Sequence, residues 1–242
     1  GAAEALRRAQ LPPSAVSAIC ITTQGETLIP IGKDGRALRK AIVWLDERAK
    51  KQADTLSARF SSAEFYHETG LPELNGFLPL AKLMWIRENE PEIYRQTEKF
   101  LLLEDYLLYR LTGQFAAEKT LASSTGWFSL RTDGYWQEGL AAAGIPQEKL
   151  PELFEPGTAL AAKLLPDVRE KLGFRADTLV VTGAMDQTAG ALGAGNLRPG
   201  CVTETTGTAL CIGAALEKAD LDDPNRVTVY RHVKPGLFLM LP

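Results

Sequence analysis

The 242-residue sequence has only two histidines, His67 and His232, and three cysteines, Cys20, Cys201 and Cys211. Neither histidine has ligand-like neighbours and no Cys-x-x-Cys spacing occurs, which argues against a zinc centre and a histidine-based triad. The odd thiol count, inside apolar strand-like segments, reads as buried free cysteines in a reducing compartment. Basic residues number 27 and acidic ones 30, mixed along the chain for a net charge of −3, and no Lys/Arg-rich run exists. Nucleic acid is therefore not an expected partner. No apolar stretch approaches the ~18 residues of a membrane span, and no signal-peptide pattern precedes the first helix-like segment. A membrane is not expected as a partner, and the expected location is cytoplasmic. Neither GxxxxGK[ST] nor GxGxxG is present, so a P-loop and a dinucleotide fingerprint are both excluded. No internal repeat or low-complexity segment is visible.

The hydrophobic pattern alternates between short buried strands and helices, which indicates α/β architecture. Residues 16–22 (VSAICIT) and 27–31 predict strands, followed by a turn at 32–35; residues 41–44 predict a third. Asp46 is placed to cap a helix. From residue 61 to Gly113 the pattern is mainly helical, with Leu80, Leu83, Met84 and Ile86 on one apolar face and a break near Pro91. Residues 99–103 read as a strand and 104–111 as a helix stopped by Gly113. A further helix is expected at 135–143. Seven of the 21 glycines then fall between Gly183 and Gly213. This stretch predicts a strand (178–182), a turn with Asp186, a short helix, and two strands (201–205 and 209–214), with another strand-like segment at 227–241.

Four constellations carry chemistry. In GAMDQTAGALGAG (183–195), a carboxylate ends a buried strand and opens a glycine-rich helix, where α/β proteins place reactive groups. Asp186 could accept a hydroxyl proton during group transfer, with Gln187 bonding the same ligand; on its local sequence alone it equally reads as a helix cap. The turn at 205–208 (TTGT) offers backbone N–H groups and hydroxyls suited to a phosphate, or an ordinary strand–turn–strand. TTQGET (22–27) exposes Gln24 and Glu26, good partners for vicinal hydroxyls, or forms a plain polar turn. FLPLAKLMWIREN (77–89) is by physics an amphipathic helix that is mostly core.

That last segment resembles the N-terminal pattern of the FGGY carbohydrate kinases at every specified position, Phe-x-Pro-x-x-Lys-Leu-x-Trp-Ile-x-Glu-Asn. AIVWLDERA (41–49), LLEDYLLYRLTG (102–113), GAMDQTAGALGAG and TTGTA resemble further family segments in the same order. The resemblance implies an actin/hexokinase-like (ribonuclease H-like) ATPase fold, with ATP and sugar between two domains. It implies that Asp186 is the base that deprotonates the substrate hydroxyl, helped by Mg²⁺ and phosphate-binding loops. By the same resemblance Gln24, Gly25, Glu26 and Gln187 contact the substrate, Trp44 and Phe77 wall its pocket, and Gly207 and Thr208 bind phosphate. On the residues alone, Trp44 and Phe77 are equally ordinary core aromatics.

The family's Asp-x-Gly-Thr segment, which binds metal and phosphate, and its later adenosine-binding Gly-Gly segment have no counterpart here. The chain is accordingly expected to hold the latter part of the first domain (1–195) and the start of the second (196–242), to provide no metal ligand, and not to turn over ATP by itself. Gln24-Gly25-Glu26 shares two of three residues with the Gln-Arg-Glu of glycerol kinases and one with the Gln-Met-His of xylulokinase-like members. Gly25 in place of arginine suggests more room and a larger substrate, such as a ketopentose or sugar alcohol. Expected partners are a small sugar or polyol, ATP, and a second copy in a homodimer. Alternatives are a glycerol or other polyol kinase, and a non-catalytic actin-like module that would not need Asp186.

Overall fold

The computed structural model describes residues 1–206 and 210–241. Helix α1 (Ala2–Arg8) leads to strands β1 (Ala18–Thr23) and β2 (Ile29–Gly32). Four helices follow: α2 (Lys50–Ser57), α3 (Ser62–Thr69), α4 (Pro79–Asn89) and α5 (Pro91–Gln96). Next come β3 (Thr97–Leu101), α6 (Leu103–Thr112), β4 (Ala116–Glu118) and α7 (Lys119–Ala122). A small hairpin, β5 (Phe128–Ser129) and β6 (Gly134–Tyr135), precedes α8 (Gln137–Ala143), β7 (Glu152–Phe154) and α9 (Pro166–Leu172). The chain continues through β8 (Leu179–Met185), α10 (Asp186–Gly193), β9 (Val202–Thr206), β10 (Leu210–Leu216), β11 (Thr228–Arg231) and β12 (Phe238–Leu241).

Local chemistry explains most boundaries. Ser61 and Glu64 form a reciprocal capping box at the start of α3, and Gly70 ends it in the left-handed conformation. Gly113, at φ +75°, stops α6 as its sequence predicts. Prolines open α4 and α5, where a missing N–H is harmless. Strands β1 and β8 pair in parallel, from Ala18 opposite Leu179 to Thr23 opposite Met185. Helix α6 packs on both. A separate antiparallel sheet runs in the order β11-β12-β10-β9.

Four expectations are corrected. Residues 41–44 form no strand: Ile42 makes a single bridge to Leu28, because Lys40 and the exposed 43–45 segment turn away from the sheet. Asp46 caps no helix; its Oδ1 accepts the Arg48 N–H at 3.0 Å in a local turn, and α2 starts only at Lys50. Tyr135 pairs in the β5–β6 hairpin, so the helix there begins at Gln137. The cysteines are free, yet Cys20 on β1 is exposed, and Cys211 on β10 and Cys201, just before β9, are half-buried, since their surroundings cover them only in part. Helix α4 also departs from a one-faced amphipathic pattern. Seven of its eleven residues are buried, Lys82 among them.

The main core gathers around α4, where Leu80, Leu83 and Ile86 meet Phe65, Phe100, Trp127, Phe128 and Trp136. Each such side chain contributes about 1.5–3 kcal/mol by leaving water. Val229 of β11 belongs to the same core, its N–H donates to the Gly70 carbonyl, and Tyr66 donates to the Val227 carbonyl. Beside it, Arg231 and Lys119 share the carboxylates of Asp133 and Glu155, with contacts of 2.5–3.0 Å. This edge of the sheet is therefore fastened to the preceding part of the chain.

The close pairing of β1 with β8 depends on Gly183. A Cβ at that position would sit 1.5 Å from the Ile21 carbonyl oxygen, and the obstacle is backbone. Gly183→Ala is expected to destabilise the protein by about 3 kcal/mol or more, read by urea denaturation; a change below about 0.5 kcal/mol would contradict this packing.

Candidate active site

The C-terminal ends of β1 and β8 lie side by side, and the chain leaving each one borders the same cavity. Open ends of parallel strands leave backbone and short side chains facing a crevice, which is where α/β folds bind ligands. The cavity, of about 400 Å³, is lined by Gln24, Gly25, Glu26, Trp44, Asp186 and Gln187, together with Met185, Cys211, Tyr230 and Leu241. Phe77 borders an adjoining cavity of about 280 Å³, and Glu26, Trp44 and Tyr230 line both. Gly207 and Thr208 lie outside the described residues. A larger hollow of about 530 Å³ beside Tyr106 and Tyr109 contains none of these residues.

Asp186 is the first residue of α10 and is exposed to the cavity, with one carboxylate oxygen accepting the Gln187 N–H at 2.8 Å. It is the first helical residue and not the cap that its local sequence allowed, since the cap position falls on Met185 without a side-chain bond, and it faces the pocket. The TTQGET turn is tight. Thr27 N–H donates to the Gly25 carbonyl at 2.8 Å across Glu26, which adopts φ +56°. A non-glycine residue there stores on the order of 1–3 kcal/mol of strain, a signature of residues held for a task. The extra room expected at Gly25 is not open space. A Cβ would lie 3.1 Å from Ser124 Oγ and 3.7 Å from Met185 Sδ.

Lys82 explains the strained turn. Its side chain is completely buried and its ammonium donates to three carbonyls: Val43 at 3.0 Å, Glu26 at 3.2 Å and Trp44 at 3.3 Å. One residue of α4 thereby fixes both the Glu26 turn and the Trp44 loop. Burial pulls its pKa down to about 8, against the favourable charges of Glu26 and Asp46. Glu26 is displaced upward, chiefly by burial and also by the negative Asp186, while Ser124 and Lys82 oppose the shift. Lys82 and Tyr230 were not singled out by sequence reasoning as site residues. The signal for Lys82 was a lone cation inside an apolar helical run; for Tyr230, on β11, there was none.

A model of the N-terminal domain of the FGGY family of carbohydrate kinases matches residues 2–193. The chain belongs to this family. It is 34% identical over 225 residues to a xylulose kinase of Streptomyces rubiginosus, covering 93% of this chain and 46% of that one. It is 28% identical over 221 residues to a gluconokinase of Bacillus licheniformis, covering 91% of this chain and 43% of that one. A solved ligand-bound xylulose kinase from Lactobacillus acidophilus superposes with a TM-score of 0.85 at 27% identity, over 93% of this chain and 45% of that one. The FGGY chain therefore has the expected actin/hexokinase-like ATPase fold, and it spans about half the length of the curated relatives it matches.

Behind the cavity floor, the FGGY chain buries three carboxyl groups, Glu104, Asp105 and Glu118. Glu104 Oε1 accepts the Gly183 N–H at 2.8 Å, and Asp105 accepts the Leu102 N–H at 2.8 Å. Burial drives all three upward, Asp105 to about 7, and the charge of Glu118 adds to the shifts of Glu104 and Asp105. Glu118 is the better-served anion, accepting the Thr120 N–H at 2.6 Å and the Leu121 N–H at 2.5 Å. Glu104, which accepts only the Gly183 N–H, is pushed well above the usual carboxylate range by burial and by the neighbouring Glu118.

A carboxyl whose folded pKa lies above its unfolded value of 4.5 stabilises the fold fully below that pH. The stabilisation is lost as pH rises toward the displaced value. Glu104→Gln retains an acceptor for Gly183 and removes the titration, so its unfolding free energy should fall less steeply than wild type between about pH 5 and 8. Parallel curves from urea denaturation would refute the assignment.

Proposed function

We propose that this chain is the substrate-binding part of an ATP-dependent carbohydrate kinase, with residues 196–242 beginning the nucleotide-binding part. The observation that carries the reading is the convergence of Asp186, Gln24, Glu26, Trp44 and Gln187 on one cavity at the ends of β1 and β8. A sugar hydroxyl oxygen attacks the γ-phosphorus of ATP, the bond from that phosphorus to the ADP oxygen breaks, and Asp186 takes the hydroxyl proton. Gln24, Glu26 and Gln187 hold neighbouring hydroxyls, and Trp44 and Phe77 offer apolar faces to the carbon skeleton. ATP use accompanies membership of a carbohydrate kinase family. Among the described residues no group of three His, Cys, Asp or Glu side chains could hold a metal ion, so the residues present offer Mg²⁺ no such site. No helix among them is long and apolar enough to cross a membrane.

The lining also favours a substrate class. Among the described residues the two cavities carry the carboxylates of Glu26, Glu73 and Asp186 and no Lys or Arg. A neutral polyhydroxylated ligand fits this charge, and an acidic sugar is repelled by it. Of the substrates named for the relatives, xylulose is neutral and gluconate carries a carboxylate, which supports a ketopentose as phosphoryl acceptor. A glycerol-type polyol shares the neutral chemistry.

In the full-length protein, ADP release with xylulose should exceed that with gluconate by about tenfold or more, the scale of one unfavourable charge contact. A preference for gluconate would overturn the substrate class. Asp186→Asn should lower kcat by at least about a thousandfold while leaving sugar binding by calorimetry nearly unchanged. Activity within about tenfold of wild type would remove Asp186 from the role of base.

A further inference from the structure

The residue just before Asp186 is held in an unusual way. Met185 is the last residue of β8 and pairs with Thr23 of β1. Its own N–H donates to a side chain, the Thr120 hydroxyl, at 3.0 Å, and its carbonyl accepts from the Thr188 hydroxyl at 2.8 Å. The two hydroxyl oxygens are 3.3 Å apart. Both polar groups of the residue that carries Asp186 into the cavity are therefore fixed by threonines rather than by a further strand.

The direction of these bonds is set by Glu118. Its carboxylate receives the N–H groups of Thr120 and Leu121 and the Thr120 hydroxyl, the last at 2.8 Å. Three donors converging on one carboxyl favour its ionised form and make it the acceptor in its bond with Thr120. Thr120, with a single hydroxyl hydrogen, spends it on Glu118 and presents lone pairs to Met185. Such chained hydrogen bonds polarise one another in a dry interior. Glu118, Thr120 and Thr188 are all fully buried, so water cannot replace a lost partner.

We propose that Thr120, oriented by Glu118, is a positioning residue that holds Asp186 at the reacting hydroxyl; the proposal rests on Asp186 being the base. Thr120 does not line the cavity, so its effect on the reaction passes through the backbone at Met185. A displacement of about 1 Å at a reacting group is enough to reduce turnover a hundredfold. Sugar affinity depends instead on Gln24, Glu26 and Gln187, which Thr120 does not touch.

The test uses the full-length protein, with xylulose and ATP and ADP release as readout. Thr120→Val should reduce kcat by about ten- to a hundredfold and leave the KM for xylulose within about threefold. Thr120→Ser, which keeps the hydroxyl, should stay within about threefold of wild type in both. Hydrogen exchange of the segment 179–193, which needs no turnover, should accelerate in Thr120→Val and not in Thr120→Ser. If Thr120→Val does not fold, Thr188→Val removes the other bond to Met185 and is expected to show the same split. A kcat within about twofold of wild type in the folded Val variant, a loss confined to KM, or unchanged exchange would overturn the proposal. Asp186→Asn separates the two readings: if it stays active the base assignment fails, and if it is inactive while Thr120→Val is normal only the positioning role fails.

Discussion

The cavity depends on a buried ammonium. Lys82 reaches from α4 into the gap between two loops and donates to the carbonyls of Glu26, Val43 and Trp44. Without a donor there, three partly buried carbonyls would lose their shared partner, and an orphaned buried acceptor costs about 1–3 kcal/mol. The surrounding architecture follows from that requirement. Helix α4 is buried on most sides so that the lysine stem lies in the core and only its head meets polar atoms. The Glu26 turn can be strained because its carbonyl is tied down. Trp44, 43% exposed, can present its ring to the cavity because its backbone is anchored behind it.

Several parts of this design were legible in the sequence. Gly113, Pro91 and Ser61 act locally, and local rules locate them. The Asp186 and Gln24–Glu26 segments each follow a short apolar run that becomes a parallel strand, so both strand ends could be expected at a crevice. Their placement in one cavity was not local information. It comes from the pairing of β1 with β8, separated by more than 150 residues, and from the ordered resemblance to a known family. Residues 41–44 look like a strand because Ile42 and Val43 are β-branched, but only Ile42 is bridged and Val43 points outward. Tyr230 was out of reach for the same reason. Its segment reads as an ordinary strand, and its position beside Glu26 depends on β11 crossing back to Gly70.

The floor of the site follows a different logic from its walls. The walls carry ionised or neutral polar groups that meet ligand and solvent. Beneath them, Glu104, Asp105 and Glu118 are sealed from water, and each accepts backbone N–H groups. Two neighbouring acids in a dry space cannot both ionise cheaply, so burial and mutual repulsion hold their ionisation above the usual carboxylate range. Acids at the start of a helix are common surface features, so the segment 102–113, although it resembles a family segment, gave no sign that Glu104 and Asp105 are buried. Burial by α6 against β8 turns them into structural hydrogen-bond acceptors.

The sheet β11-β12-β10-β9 is fastened to the preceding part of the chain along its β11 margin. Its β11 margin shares a core residue, backbone bonds and four charged side chains with the rest of the chain. At the opposite margin, β9 leaves Val202 mostly bare. Tyr230, beside Glu26, thus belongs to the frame of the cavity, although in chain order it comes after the glycine-rich turns.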